Sequence, residues 1–389
     1  MIRRTALLRS LALALAAAAC SDHAAPTSPT SARPDAALAQ GAPRGTARID
    51  RARLAMQRIG SVADLRTDAL VRRAIDPADY ACAATSPLVQ WIDGRIEESL
   101  AKEPELFLAT VDLIAPLVPT FEAIVFQTTD TRQYFGAKGE HTKAVVKTER
   151  ELKRFWAIPS SDIQLIGMHG DVLLDTRRTS AIYREFGFTP QDANTLAAAL
   201  RDAILRSKTM AGGNHPLFTF NAVAFSTLGG KVPPDKIIVG DGVLAGFDAL
   251  GYRDVAPQAI VAHEFAHHVQ FEKGYALAGT SPTDEPTAES TRFNELGADV
   301  MAAYYLTHKR GATMNRKRVE QFLTVFHQLG DCDFADGGHH GTPSQRLAAT
   351  RLGFELADRA QKQGHIMTPD QVQAAFLAAY PRIVAPDAR

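Results

Sequence analysis

The stretch His263-Glu264-Phe265-Ala266-His267 constrains this chain more than any other. Two imidazoles four residues apart share one face of a helix, where they can hold a single metal ion while the carboxylate between them stays off it. The flanks predict that helix. Ala259, Ile260, Ala262, Phe265, Ala266 and Val269 are apolar, no Gly or Pro interrupts Gln258 to Lys273, and Gly274 offers a C-cap. A catalytic zinc site takes three protein ligands plus water, so two histidines are not enough. Gln270 and Lys273 stand three and six residues beyond the second His, where a metzincin continuation would need Gly and His. The third ligand has to come from elsewhere.

The best source is Asn294-Glu295-Leu296-Gly297-Ala298-Asp299, in a second predicted helix from about Ser290 to Thr307, where Phe293, Leu296, Val300, Ala303 and Tyr304 recur at helical spacing. Glu295 and Asp299 share a face. One can complete a His2Glu set and the other can accept the ring N–H of a ligand histidine. Glu285 and Glu289 compete for the ligand role, but only Glu295 has an acid at i+4 in an uninterrupted helical pattern. The chemistry such a site allows is hydrolysis: one Zn2+ would polarise a carbonyl and acidify a water, and Glu264 would accept the water proton and pass it to the leaving amine.

His-Glu-x-x-His followed by Asn-Glu-x-x-Ala-Asp resembles the gluzincin metallopeptidases. The longer strings from Ala262 to Gln270, from Glu295 to Asp299 and from His340 to Arg346 (His-Gly-Thr-Pro-Ser-Gln-Arg) are similar to the bacterial neutral zinc metallopeptidases and, more distantly, to HtpX-like peptidases. The likeness covers about residues 215 to 360. It implies His263, His267 and Glu295 as zinc ligands, Glu264 as general base, Asp299 as the group orienting His263, His340 as a donor to the transition state and Arg346 as a positioning residue. It implies a zincin-like catalytic domain, with a small β-sheet and an active-site helix. Upstream, residues 50 to 210 match no pattern of these families.

Leu217 to Ser226 has the β-rich composition of a strand, and Lys236 to Gly240 is a second short apolar run, so two strands precede the metal helix. That order resembles the zincin upper sheet, whose edge strand pairs with an extended peptide. Asn221-Ala222 resembles the edge-strand motif of the HtpX-like group, with an ordinary core hairpin as the alternative. A protein or peptide substrate is the expected partner.

At the N-terminus Arg3, Arg4 and Arg9 precede the apolar run Leu11 to Ala19, which ends at Cys20. This pattern reads as a bacterial export signal over residues 1–19. Ala17-Ala18-Ala19-Cys20 resembles a lipoprotein signal, implying lipidation of Cys20; conventional cleavage without a lipid is the alternative. Ser21 after the Cys is, by the same resemblance, compatible with the outer membrane. Residues 20–47, rich in Ala, Pro, Ser and Thr, read as a disordered tether. Of three Cys, Cys82 and Cys332 remain as a possible disulfide in an oxidising periplasm, with two buried thiols as the alternative.

With 46% hydrophobic residues and no further apolar run of spanning length, the rest reads as soluble. Forty-three acids against 43 bases invite no nucleic acid. Residues 48–210 predict a mainly helical region, with helices around Ala47 to Ile59, Val89 to Leu100, Lys143 to Trp156 and Gln191 to Lys208, and a strand pair within Ile163 to Leu174. Residues 211–389 predict the catalytic domain, ending in helices from Pro343 to Gln363 and Pro369 to Ala379. His141 reads as solvated surface. The expected fold is α+β and mainly helical, and the expected function is a zinc endopeptidase of the cell envelope. A catalytically silent zinc-binding lipoprotein, or a zinc hydrolase of cell-wall cross-links, stands as the alternative.

Overall fold

The computed structural model describes residues 87–226, 234–280, 287–315, 317–319, 321–323 and 340–385, together with the two-residue strand His23–Ala24. The signal run with Cys20, most of the tether, the helix around Ala47 to Ile59, Cys82, Cys332 and Glu285 lie outside them. The architecture is α+β and mainly helical, with one small sheet.

The sequence writes the helix boundaries plainly. Helix α1 spans Pro87–Lys102, α2 Pro104–Asp112, α3 Val118–Val125, α4 Thr142–Phe155, α5 Thr176–Glu185 and α6 Pro190–Arg206. Proline opens four of these six at the first or second position, where its missing N–H costs nothing and its fixed φ fits. At α6 the Thr189 hydroxyl also accepts the Asp192 N–H.

Strand β3 (Ala222–Ser226) runs antiparallel to β4 (Lys236–Gly240), with Ala222 opposite Val239. Strand β2 (Gln164–Met168) lies parallel to β4 on its other side. On the outer edge of β3, strand β1 (His23–Ala24) pairs in parallel with Phe225 and Ser226. Both faces of the sheet are covered, and successive side chains divide between them, as strand geometry requires. Ile166, Met168, Val223, Phe225 and Ile238 join Ala123 and Ile124 of α3 on one face, whereas Leu165, Ala222, Ile237 and Val239 enter the main core on the other. That main core extends from Leu88 to Ile383 without a break near residue 210.

Two sequence expectations are corrected here. Only the first half of Ile163 to Leu174 is strand; Gly170–Leu174 is a 3-10 turn, pressed so closely on the backbone of Gly213 that a Cβ at Gly170 would lie 1.9 Å from its carbonyl oxygen. Likewise the first part of Leu217 to Ser226 is a 3-10 turn, Pro216–Thr219, opened by His215, whose Nδ1 accepts the Leu217 N–H.

Among the described residues the chain continues through helices α7 Asp241–Ala249, α8 Ala256–Lys273, α9 Ala288–Thr307, α10 Pro343–Lys362 and α11 Pro369–Ile383, with residues 317–319 and 321–323 also helical. Helix α8 is buried continuously from Ala259 to Gln270, enclosed by α4, α9 and the sheet, and Gly274 closes it at φ 63°. Helix α9 opens on a reciprocal cap between Thr287 and Ser290 and packs along α10. The approach of α9 and α10 is set by Gly353, where a Cβ would lie 2.3 Å from the carbonyl oxygen of Val300. Among the described residues no helix is long and apolar enough to cross a membrane.

Candidate metal centre

Helices α8 and α9 bring three donor atoms to one point. His263 Nε2 lies 3.2 Å from His267 Nε2 and 3.2 Å from Glu295 Oε2, and His267 Nε2 lies 3.3 Å from Glu295 Oε1. Donors bound at roughly 2.0–2.2 Å around a tetrahedral zinc stand about 3.3 Å or slightly more apart, so the spacing fits such an ion. All three side chains are buried.

The outer ring nitrogens show what these donors present to the centre. His263 Nδ1 stands 3.0 Å from Asp299 Oδ1, and His267 Nδ1 lies 2.8 Å from Gln270 Oε1. Both partners are acceptors, so both Nδ1 atoms carry the proton in the neutral rings and both Nε2 lone pairs face the Glu295 carboxylate. Lone pairs converging on a carboxylate repel unless a cation, or a proton taken up in its place, sits among them. The donor set therefore fits a divalent metal ion.

The electrostatics follow from the same contacts. Burial alone would raise the Glu295 carboxyl, but the imidazoles of His340, His267 and His263 outweigh it and hold the group well below the usual carboxylate range. Burial would lower His263, yet its bonds to Asp299 and Glu295 reverse the direction and raise it. A metal ion must displace that proton, so affinity weakens toward acid pH.

Behind the ligands, Arg346 on the first turn of α10 grips Asp299 through two bonds, Nε to Oδ2 at 2.7 Å and Nη2 to Oδ1 at 2.6 Å, and Nη2 lies 3.6 Å from Glu295 Oε2. The sequence reading left open what Arg346 positions; its hydrogen bonds go to Asp299. The turn before it is built by a reciprocal cap. The Thr342 hydroxyl accepts the Gln345 N–H, and the Gln345 side chain accepts the Thr342 N–H. His340 sits two residues ahead of that cap, buried, with its ring close enough to Glu295 to act on it electrostatically. Glu264, which stands between His263 and His267 in the sequence, is itself buried. Glu289 pairs instead with Arg292 and accepts from Tyr380, away from the donor set. Asn221 precedes β3 with its carbonyl accepting the Gly240 N–H, and its side-chain oxygen is buried without a partner among the described residues. Ala222 begins the strand, which packs on α8.

Two groups emerge that sequence reasoning missed. Gln270, given no role by the sequence, bonds to His267, a contact foreshadowed by its i+3 position. His141, expected at the surface, is buried and its Nε2 lies 3.1 Å from Asp248. With Glu140 these two form a second cluster of possible metal donors. There the carboxylates already have partners: the Arg253 guanidinium approaches Asp248 to 3.5 Å, and Glu140 accepts the backbone N–H of Lys138 at 2.8 Å.

No family model, curated protein or solved structure matches this chain.

Proposed function

We propose that this protein is a zinc-dependent endopeptidase with a zincin-like catalytic domain, exported to the bacterial cell envelope and lipid-anchored through Cys20. The observation that carries the reading is the triangle of His263, His267 and Glu295 donors, with a carboxylate between the histidines on the same helix. Zinc held by these three residues supplies an acidified water, with a pKa lowered toward about 7, and a polarised carbonyl.

The chain's own groups do the rest. Glu264 takes the proton of the attacking water and delivers it to the departing amine. His340 donates to the oxygen that gathers charge as the carbonyl is attacked; loss of one such donor typically costs ~10²-fold in rate. Asp299 orients the His263 ring, and Arg346 holds Asp299 in register through its two bonds. An extended peptide adds to the outer edge of β3 beside Asn221 and Ala222, ahead of Phe225 and Ser226 where β1 pairs, so that backbone bonds bring affinity with little side-chain selectivity.

The test is one zinc per chain in the purified protein and chelator-sensitive cleavage of an unfolded protein substrate. Glu264→Gln should keep the metal and lose at least ~10²-fold in turnover. A second reading, a silent zinc-binding lipoprotein, draws on the depth of the site: Glu264 is 1% exposed. Metal uptake with no cleavage in the wild type would favour it, and peptidoglycan digestion without proteolysis would redirect the substrate to cell-wall cross-links.

A further inference from the structure

Gln270 stands at the end of a chain of forced choices. Its Nε2 lies 2.7 Å from the backbone carbonyl of Asn294, and a carbonyl can only accept. The amide is therefore turned with its NH2 toward α9 and its Oε1 toward His267, 2.8 Å from Nδ1. An oxygen facing Nδ1 requires the proton to be on that nitrogen. The Nε2 lone pair then faces His263 Nε2 and the Glu295 carboxylate.

The backbone of the residue preceding the third ligand thus sets the tautomer of the second. The space for this relay is made by Gly297, one turn along α9, where a Cβ would lie 2.9 Å from Gln270 Nε2. Gln270 itself is buried. Its two polar ends, each satisfied once, explain why an amide is tolerated at that depth.

We propose that Gln270 is a positioning residue for metal binding, holding His267 in the tautomer and ring orientation that the ion needs and coupling the α8 ligands to the α9 ligand. This rests on the metal reading above. His263 has a carboxylate behind it, and His267 has this neutral amide in the equivalent place. Partners of this kind are typically worth 10–100-fold in metal affinity.

The experiment measures zinc affinity by competition with a chromophoric chelator, the visible spectrum of the Co2+-substituted protein, and the urea midpoint of the metal-free protein, for wild type, Gln270→Leu and Gln270→Glu. Gln270→Leu is near in volume and removes both bonds. It should lose about 10–100-fold in zinc affinity and alter the Co2+ spectrum. Gln270→Glu keeps an oxygen that can accept from His267 Nδ1 in either protonation state, so it should recover most of that affinity and the wild-type spectrum.

Wild-type affinity and an unchanged spectrum in Gln270→Leu would overturn the proposal. So would a Gln270→Glu protein as weak as Gln270→Leu, or losses that vanish once affinity is corrected for the metal-free urea midpoint. Wild-type protein that takes up no zinc would overturn the metal reading itself, a result distinct from any of these.

Discussion

Arg346→Met is the sharpest probe of how the centre is held. The guanidinium is fully buried, makes two bonds of 2.6 and 2.7 Å to an equally buried Asp299, and stands 3.6 Å from Glu295. Methionine fills much of the volume and leaves two carboxylates one helical turn apart without their counter-charge. Breaking a buried pair from one side costs about 3–5 kcal/mol, chiefly because the orphaned charge remains in a medium that solvates it poorly. With a urea m-value on the order of 3 kcal/mol/M, that loss lowers the midpoint by roughly 1–1.7 M.

The assay is urea unfolding followed by circular dichroism, with chelator present throughout so that metal binding does not contribute. Arg346→Met/Asp299→Asn, which removes the stranded charge, should lose less than Arg346→Met alone. A single-variant shift below about 0.3 M, or a double variant losing as much as both singles summed, would refute the reasoning.

Two further outcomes follow from the same structure. Gly353→Ala forces α10 away from the Val300 carbonyl and should cost ~1–3 kcal/mol by overpacking, weakening zinc affinity as Arg346 retreats from Asp299; urea unfolding and chelator competition on one variant check both effects. His215 is pushed down to about 4 by burial, and its Nδ1 already accepts the Leu217 N–H. Between pH 4 and 6.5 the unfolded chain binds the proton that the native ring refuses. Its contribution is therefore complete above about pH 6.5 and lost as pH falls toward 4, by up to ~3 kcal/mol. Urea midpoints taken across that window should slope upward with pH in the wild type and flatten in His215→Gln. An undiminished slope would clear His215 of the effect.

Much of the helical architecture was legible because its determinants are local. Thr189-Pro190 before α6, Gly274 after α8 and Thr368-Pro369 before α11 mark ends through bonds made within three or four residues. The donor triangle could be anticipated for a related reason: i,i+4 spacing fixes which side chains share a face. What the sequence hid is long-range. The pairing of Gln164–Met168 with Lys236–Gly240 joins segments about 70 residues apart, and nothing in a five-residue apolar run names its partner.

Lys236 sits at the start of a strand as a charged residue usually would at a surface. It is nonetheless buried, donating to the carbonyls of Ala123, Ile124 and Gln127 at the end of α3. His141 escaped for the same reason, since its acceptor lies 107 positions downstream. Arg346 could be flagged, but only the docking of α10 on α9 shows that its fork closes on Asp299.

That docking also dictates an order of completion. A ribosome that has delivered both imidazoles and both acids of the centre must still add more than forty residues before the guanidinium that makes them compatible arrives. Until then an unfinished chain carries two like charges whose burial is opposed. The side chains of the centre therefore lack their buried counter-charge in any chain that ends before α10.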